Sequence, residues 1–377
     1  MKKMKLWPLF FTTSFASLLA MVFFHHHLNR CVPSDLHLTG YERCTPKKNI
    51  VFLKLHKCAG SSVFNLLMRQ AEERNLLLAL PTANSHLLGY PRLFNPRIDL
   101  LDYRHCGGKP NLLTYHMRFN ETAVREVMPE DSVYVTIMRD PTDLFASMFY
   151  YFKLDAVYDV NLSQFLREPF FLEIIRKSRL HNSMGFNQMT FDLGFEADDE
   201  RTELAIPTLI QAVERRFHLV MIAERFVESL VLLGRLLCWD VDALVTLRHN
   251  VRSEGRRHEL DDDAVATLRR SNRVDEALYR HFYRKFDEIV EEFGRDKMQN
   301  EAAILEGRIH SWHWKCVDGY RVRRPSDVYE YVGRTRNLSA HEGETCRRLL
   351  LLEQVFAAEA RKRMLRLCPQ DVTLMVG

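Results

Sequence analysis

Four short apolar runs, at residues 50–53, 112–115, 132–138 and 218–223, constrain this chain more than any other feature. Each is too short for a helix that would bury it on its own, and the third is rich in β-branched side chains, so all four read as buried strands. Helical patterns follow three of them. Val63, Phe64, Leu66, Leu67 and Met68 give residues 61–73 an apolar face. Asp140 is placed to cap a helix and Pro141 suits its first position, with Leu144, Phe145, Met148, Phe149 and Phe152 as its buried side. A third helical stretch covers 226–237. Strands alternating with helices predict an α/β fold, a parallel β-sheet flanked by helices on both faces. From about 261 to 306 the pattern is mainly helical, with Leu268, Val274, Leu278, Phe282, Phe286, Ile289 and Phe293 as expected core. The remainder, with Trp312 and Trp314, is irregular and is expected to pack on the same domain.

Ligands of open parallel sheets sit beyond the carboxyl ends of the strands. Three chemistry-bearing segments fall there. Lys54-Leu55-His56-Lys57-Cys58-Ala59-Gly60-Ser61-Ser62 joins a strand to a helix, a turn that aims backbone N–H groups and a helix N-terminus at one point, as a phosphate requires. The alternative is a small-residue turn for tight packing, and the segment is not G-x-x-x-x-G-K-[ST]. Arg139 ends the third strand, with Ser147 on the next helix, and an Arg fork plus a hydroxyl suits a terminal phosphate. Equally, Arg139 can pair with Asp140 or Asp143, and Ser147 can be a small core residue. His116, in Tyr115-His116-Met117-Arg118-Phe119, is a candidate general base, although a lone histidine is more often structural. Together Lys57, His116 and Arg139 point to one edge of the sheet. Asn187, Asp192 and residues 181–182 are candidates for a second substrate, or else caps and turns; Asn250 and Arg252 are candidates for a nucleotide.

Three lysines within residues 1–5 precede a run, 6–24, without a charged residue. That length is close to the roughly 20 residues of a membrane-spanning helix. Leu18 stands where a signal cleavage site after Ala20 would want a small residue, so a retained anchor is expected, with the lysine side cytosolic and the rest lumenal. Residues 25–48 read as a stem, in which His25-His26-His27 is a polar exit from the membrane or a metal-binding run. Sequons at Asn120, Asn161 and Asn337 fit a lumenal address. The eight cysteines contain no C-x-x-C pair, which argues against a zinc ribbon or a thioredoxin-like site; Cys316–Cys346 is the first pairing expected. A formal charge of only +4 argues against a nucleic-acid binder. No metal-ligand cluster is seen, and no metal is expected.

The loop at 54–62, the strand ending in Arg139-Asp140-Pro141 with the later Ser147, and His116-Met117-Arg118-Phe119 together resemble the galactose 3-O-sulfotransferase family, which includes galactosylceramide sulfotransferase. Asn49-Ile50-Val51-Phe52-Leu53-Lys54, Phe191-Asp192-Leu193-Gly194-Phe195, Val213-Glu214-Arg215-Arg216-Phe217 and Glu228-Ser229-Leu230-Val231-Leu232-Leu233 extend the similarity from 49 to about 351. The resemblance implies a P-loop-like sulfotransferase fold after an N-terminal transmembrane helix, with residues 1–5 as cytosolic tail, 6–24 as signal anchor, 25–48 as lumenal stem and 49–377 as lumenal sulfotransferase domain. It implies PAPS (3′-phosphoadenosine 5′-phosphosulfate) as co-substrate, a galactose-terminated glycolipid or glycoprotein glycan as acceptor, and the Golgi membrane, type II, as location. It puts Lys54, His56, Lys57, Cys58, Ala59, Gly60, Ser61 and Ser62 near the phosphosulfate, and Arg139 and Ser147 at the 3′-phosphate. His116 is the expected base, with His56 as the alternative, and Lys57 the charge that meets the leaving group. The family usually reads Lys-Thr-His-Lys-Thr-Ala-Ser-Ser in the loop, whereas Leu55 and Cys58 replace threonines here and Gly60 a serine. A weakened or inactive sugar- or nucleotide-binding member, and a P-loop phosphotransferase, are the alternatives. If the domain is lumenal, glycosidase treatment of the expressed protein will increase its gel mobility; no shift, with protease access from the cytosolic side, would reverse the topology.

Overall fold

The computed structural model describes residues 44–82, 86–179, 184–197, 200–249, 260–323, 328–334 and 337–368. The run at 6–24, His25–His27, the sequence at 181–182, and Asn250 with Arg252 lie outside these residues. Among the described residues no helix is long and apolar enough to cross a membrane.

The core is a four-stranded, all-parallel sheet. Strand β1 (Ile50–Leu53) lies between β3 (Leu112–Leu113) and β5 (Val133–Met138), and β6 (Leu219–Ile222) pairs with the far side of β5. Every residue of these strands is buried, as continuous apolar runs under two helical layers require. Helix α1 (Gly60–Glu73) follows β1, α2 (Pro141–Tyr151) follows β5, and α4 (Phe226–Leu237) follows β6. Asp140 caps α2 through its Oδ1, which accepts from Thr142 N at 2.9 Å and Asp143 N at 3.3 Å, with Pro141 in the first turn. The short helix α3 (Gln188–Asp192) precedes β6.

Of the strand expected at 112–115 only Leu112–Leu113 is strand, and a second strand begins just beyond it at His116. Leu112–Leu113 pairs with β1, while β4 (His116–Arg118) pairs in parallel with β2 (Leu87–Leu93), an element the sequence reading lacked. Between them the Tyr115 ring is buried edge-on against Phe64 at 5.6 Å, and the chain steps to a second sheet there. His116 therefore begins a strand of its own, separated from the end of β3 by Thr114 and Tyr115.

The helical stretch after 260 is α5 (Asp262–Ser271), α6 (Arg273–Phe293) and α7 (Arg295–Cys316). Of the expected core, Leu268, Val274, Leu278, Phe282, Phe286 and Phe293 are buried; Ile289 is half-buried, and Val290 takes the inward place. The segment without a clear sequence pattern is an antiparallel hairpin, β7 (Val317–Arg323) with β8 (Val328–Gly333), then α8 (Ala340–Leu350) and α9 (Glu353–Leu367). A reciprocal capping box of Ser339 and Glu342 starts α8. The last two helices are fastened to α1 and the chain after it: Asn65 Nδ2 donates to Arg348 O at 2.9 Å, and Arg363 Nη2 to Leu76 O at 2.9 Å.

Among the described residues three disulfides form: the long-range Cys44–Cys238 and Cys106–Cys368, and the expected Cys316–Cys346. Cys44, with the bond from Lys47 N to Leu237 O at 2.9 Å, fixes the end of the expected stem to the end of α4. Peptide mapping without reduction should recover these three pairs and an unpaired Cys58. Replacing Cys316 and Cys346 together by serine should cost about 2–4 kcal/mol in denaturant unfolding, with α8 loosened from the hairpin.

Candidate active site

The loop after β1 is shaped by two non-glycine residues in the left-handed region, Lys57 (φ 59°) and Ala59 (φ 62°). Such backbone is costly for residues with a Cβ and persists where the surroundings fix it. Here Leu55 and Cys58 are fully buried anchors, Cys58 Sγ donates to His56 O at 3.3 Å, and Arg139 Nη1 donates to Lys57 O at 3.1 Å. Ala59 gives α1 no side-chain cap, and no acidic residue lies in its first turn. The first amides of α1 thus keep the positive end of the helix suited to an anion. Ser62 is turned inward, its Oγ accepting from His249 N at 3.0 Å. Gly60 is needed from beneath: a Cβ there would lie 2.7 Å from Lys54 Cγ, so the lysine stem runs directly under the start of the helix.

Lys54 itself is 2% exposed and forms an ion pair with Glu353 at the start of α9. Lys57 points elsewhere, its Nζ over the Tyr151 ring at 3.5 Å, which ties the loop to the end of α2. Arg139 also approaches Asp143 Oδ2 at 3.8 Å, and Ser147 is half-buried on α2. Burial raises the Cys58 thiol well above its ordinary value, against the opposing pull of Arg139, so this cysteine is an inert packing residue.

His56 and His116 stack, ring centroids 4.1 Å apart and planes 14° from parallel. His56 Nδ1 is 2.9 Å from Asp192 Oδ2, which also accepts from His56 N at 2.8 Å. The other oxygen of Asp192 accepts from Tyr90 OH at 2.8 Å and Gln188 Nε2 at 2.9 Å. Asp192 is fully buried on α3, whose start is held by Asp275 of α6, accepting from Met189 N and from both N and Oγ1 of Thr190. Burial, against those hydrogen bonds, raises the Asp275 carboxyl to about 6. His116 Nδ1 is 2.8 Å from Lys54 O, so that nitrogen donates and Nε2 is left as the acceptor. Burial first, then His56, Lys54 and His86, holds the His116 imidazole well below its ordinary range.

The structure thus gathers Lys54, His56, Lys57, Cys58, Ala59, Gly60, Ser61 and Ser62 in one loop, with His116 stacked on it and Arg139 bonded to it. Asp192 was legible only as a second-substrate candidate; its bond to His56 crosses 136 residues and leaves no local signal. Asn187 is a structural cap, its Oδ1 accepting from Val274 N and Asp275 N. Tyr90, Gln188 and Glu353 were missed: Tyr90 and Glu353 are drawn in by tertiary contacts, and Gln188 reaches Asp192 one turn along α3 as well as Tyr90 OH. Among the described residues no group of His, Cys, Asp and Glu side chains is placed to hold a metal ion.

A family model described as galactose-3-O-sulfotransferase matches residues 1–332. Galactosylceramide sulfotransferase of Homo sapiens is 36% identical over 290 residues, 73% of this chain and 66% of that protein. Galactose-3-O-sulfotransferase 2 of Sus scrofa is 35% identical over 329 residues, 85% of this chain and 81% of its own. Galactose-3-O-sulfotransferase 3 of Mus musculus is 36% identical over 290 residues, covering 74% and 65%. The chain spans about two thirds of the length of the first and third of these relatives. With most of its length matched and the loop, histidines and arginine set around one sheet edge, the chain belongs to the galactose-3-O-sulfotransferase family.

Proposed function

We propose that the protein transfers a sulfuryl group from PAPS to the 3-hydroxyl of galactose, on a glycolipid such as galactosylceramide or on a β-galactoside glycan. The observation that carries this reading is the carboxylate-backed, stacked histidine pair set against a phosphate-type loop. In the step, the galactose oxygen bonds to sulfur while its proton passes to a histidine. The bond between sulfur and the bridging oxygen breaks, and its electron pair leaves with the 5′-phosphate of adenosine 3′,5′-bisphosphate. The amides at the start of α1 stabilise that departing phosphate, and Lys57 adds its charge on swinging from the Tyr151 ring over which it rests. Arg139 with Ser147 takes the 3′-phosphate.

Both histidines present Nε2 for the proton. We assign it to His56, because the Asp192 carboxylate at its Nδ1 stabilises the imidazolium that forms. His116, the alternative, is backed by a neutral carbonyl, and burial opposes its charging. The loop's departures from the family pattern weigh little against activity. Leu55 and Cys58, which stand where threonines are usual, are buried side chains, away from the loop face that meets a donor. A phosphotransferase of the P-loop kind is disfavoured by the missing Gly-Lys-Ser/Thr ending. The lysine-flanked apolar run, the sequons and three disulfides support a type II Golgi anchor with the domain in the oxidising lumen. Measuring PAPS binding and sulfate transfer separately, with galactosylceramide and with a β-galactoside disaccharide, tests the reading; binding without transfer to either would leave only the non-catalytic alternative.

A general base contributes about 10²–10⁴ in rate without holding the donor. His56→Ala should therefore lower turnover by about that factor with PAPS affinity nearly unchanged, and His116→Ala by less. If His116→Ala is the more damaging and both variants are folded, the proton goes to His116. Arg139→Ala should weaken adenosine 3′,5′-bisphosphate by about 1.5–3 kcal/mol and an analogue lacking the 3′-phosphate far less. Equal losses for both nucleotides would mean that Arg139 acts only through its bond to the Lys57 carbonyl.

A further inference from the structure

We propose that Glu353 is a positioning residue for the donor loop, a carboxylate that fastens both ends of the loop at once. The proposal rests on the reading of residues 54–62 as the PAPS loop. Its ground is one oxygen atom. Glu353 Oε2 accepts from Lys54 Nζ, directly after β1, and from Ser61 Oγ, in the first turn of α1, at 3.2 Å. The strained residues Lys57 and Ala59 lie between those two points. The carboxylate therefore closes the base of the loop, and the backbone conformation that aims the α1 amides outward is held from below.

The arrangement is internal rather than a surface ion pair. The side chains of Lys54 and Glu353 are 2% and 13% exposed. The lysine stem is confined under Gly60, so the ammonium has little room to seek another partner. Burial pushes the Glu353 carboxyl up, but the Lys54 charge and hydrogen bond, with His86 and Ser61, outweigh it and keep the group ionised. Helix α9 presents Glu353 from a rigid mount. Arg361 donates to Pro81 O at 2.8 Å and Thr82 O at 2.9 Å, and Cys368 at the helix end is bonded to Cys106. Glu353 lies beyond residue 332, where the family match ends, so this contribution to the loop comes from outside the matched segment.

Two other roles predict different behaviour. A carboxylate that merely occupies the anion site would compete with the donor, and its removal would tighten donor binding. A plain structural fastener would affect stability and leave donor affinity alone. The test is calorimetric binding of adenosine 3′,5′-bisphosphate to the full-length protein, with sulfate transfer and thermal unfolding measured alongside. For Glu353→Gln we expect the nucleotide Kd and the KM for PAPS to rise by about tenfold, with kcat at saturating PAPS changed far less, because a preorganised loop lowers the cost of binding. Arg361→Ala frees the middle of α9 while the Cys106–Cys368 bond still holds its end, so it should lower the unfolding temperature and raise the nucleotide Kd by much less than Glu353→Gln does. Unchanged or tighter binding by folded Glu353→Gln overturns the proposal, as does an equal loss in Arg361→Ala. If Glu353→Gln does not fold, Glu353→Asp decides, since it keeps the charge but shortens the reach: weakened binding supports the clamp, wild-type affinity overturns it. Failure of the wild-type protein to bind the nucleotide would instead overturn the PAPS reading, and this proposal with it.

Discussion

The site is organised around a charge that cannot reach water. Asp192 is fully buried, and an isolated carboxylate there would be prohibitively costly. It is tolerated because His56 N, His56 Nδ1, Tyr90 OH and Gln188 Nε2 all point at it. Those four groups come from the loop after β1, from β2 and from α3, so satisfying one carboxylate fixes three parts of the fold together. The orientation of the His56 ring, and through stacking that of His116, follows from this requirement. The same logic repeats one layer back, where the buried Asp275 holds the first amides of α3.

Much of this architecture was legible in the chain because burial writes itself into composition. Residues 50–53, 133–138 and 219–222 have no polar face to hide, and they became the sheet almost as drawn. Asp140-Pro141 marked the start of α2 because a cap and a fixed φ act locally. The break after Leu113 was not legible: Thr114 and Tyr115 continue the apolar run, and only the packing of Tyr115 on Phe64 shows that the chain changes sheets. The C-terminal helices were obscured because they are fastened in part by long polar contacts that leave no period in the sequence, as in Arg361 and Arg363 reaching the carbonyls of Pro81 and Leu76.

The candidate site divides in the same way. Lys57, His116 and Arg139 were found because the ends of strands are visible in sequence and a parallel sheet brings such ends together. What orients them was hidden, since Asp192, Tyr90 and Glu353 reach the loop across separations that carry no period. The loop also shows why a pattern of letters is a weaker guide than side-chain direction. Leu55 and Cys58 depart from the family's hydroxyl residues, yet both serve the interior, while the glycine at 60 makes way for a lysine passing underneath.

That lysine has a consequence for how the chain is made. Lys54 and its buried counter-ion Glu353 are separated by 299 residues. At about 5–20 residues per second of synthesis, the lysine waits on the order of 15–60 s for a partner that does not yet exist. During that interval the first strand and the loop can form, but with an ammonium that must stay wet or lose its proton. The nascent N-terminal half is therefore held short of its finished state by the direction of translation itself. A chain stopped anywhere between residues 62 and 353 carries every loop residue and still lacks the group that settles them.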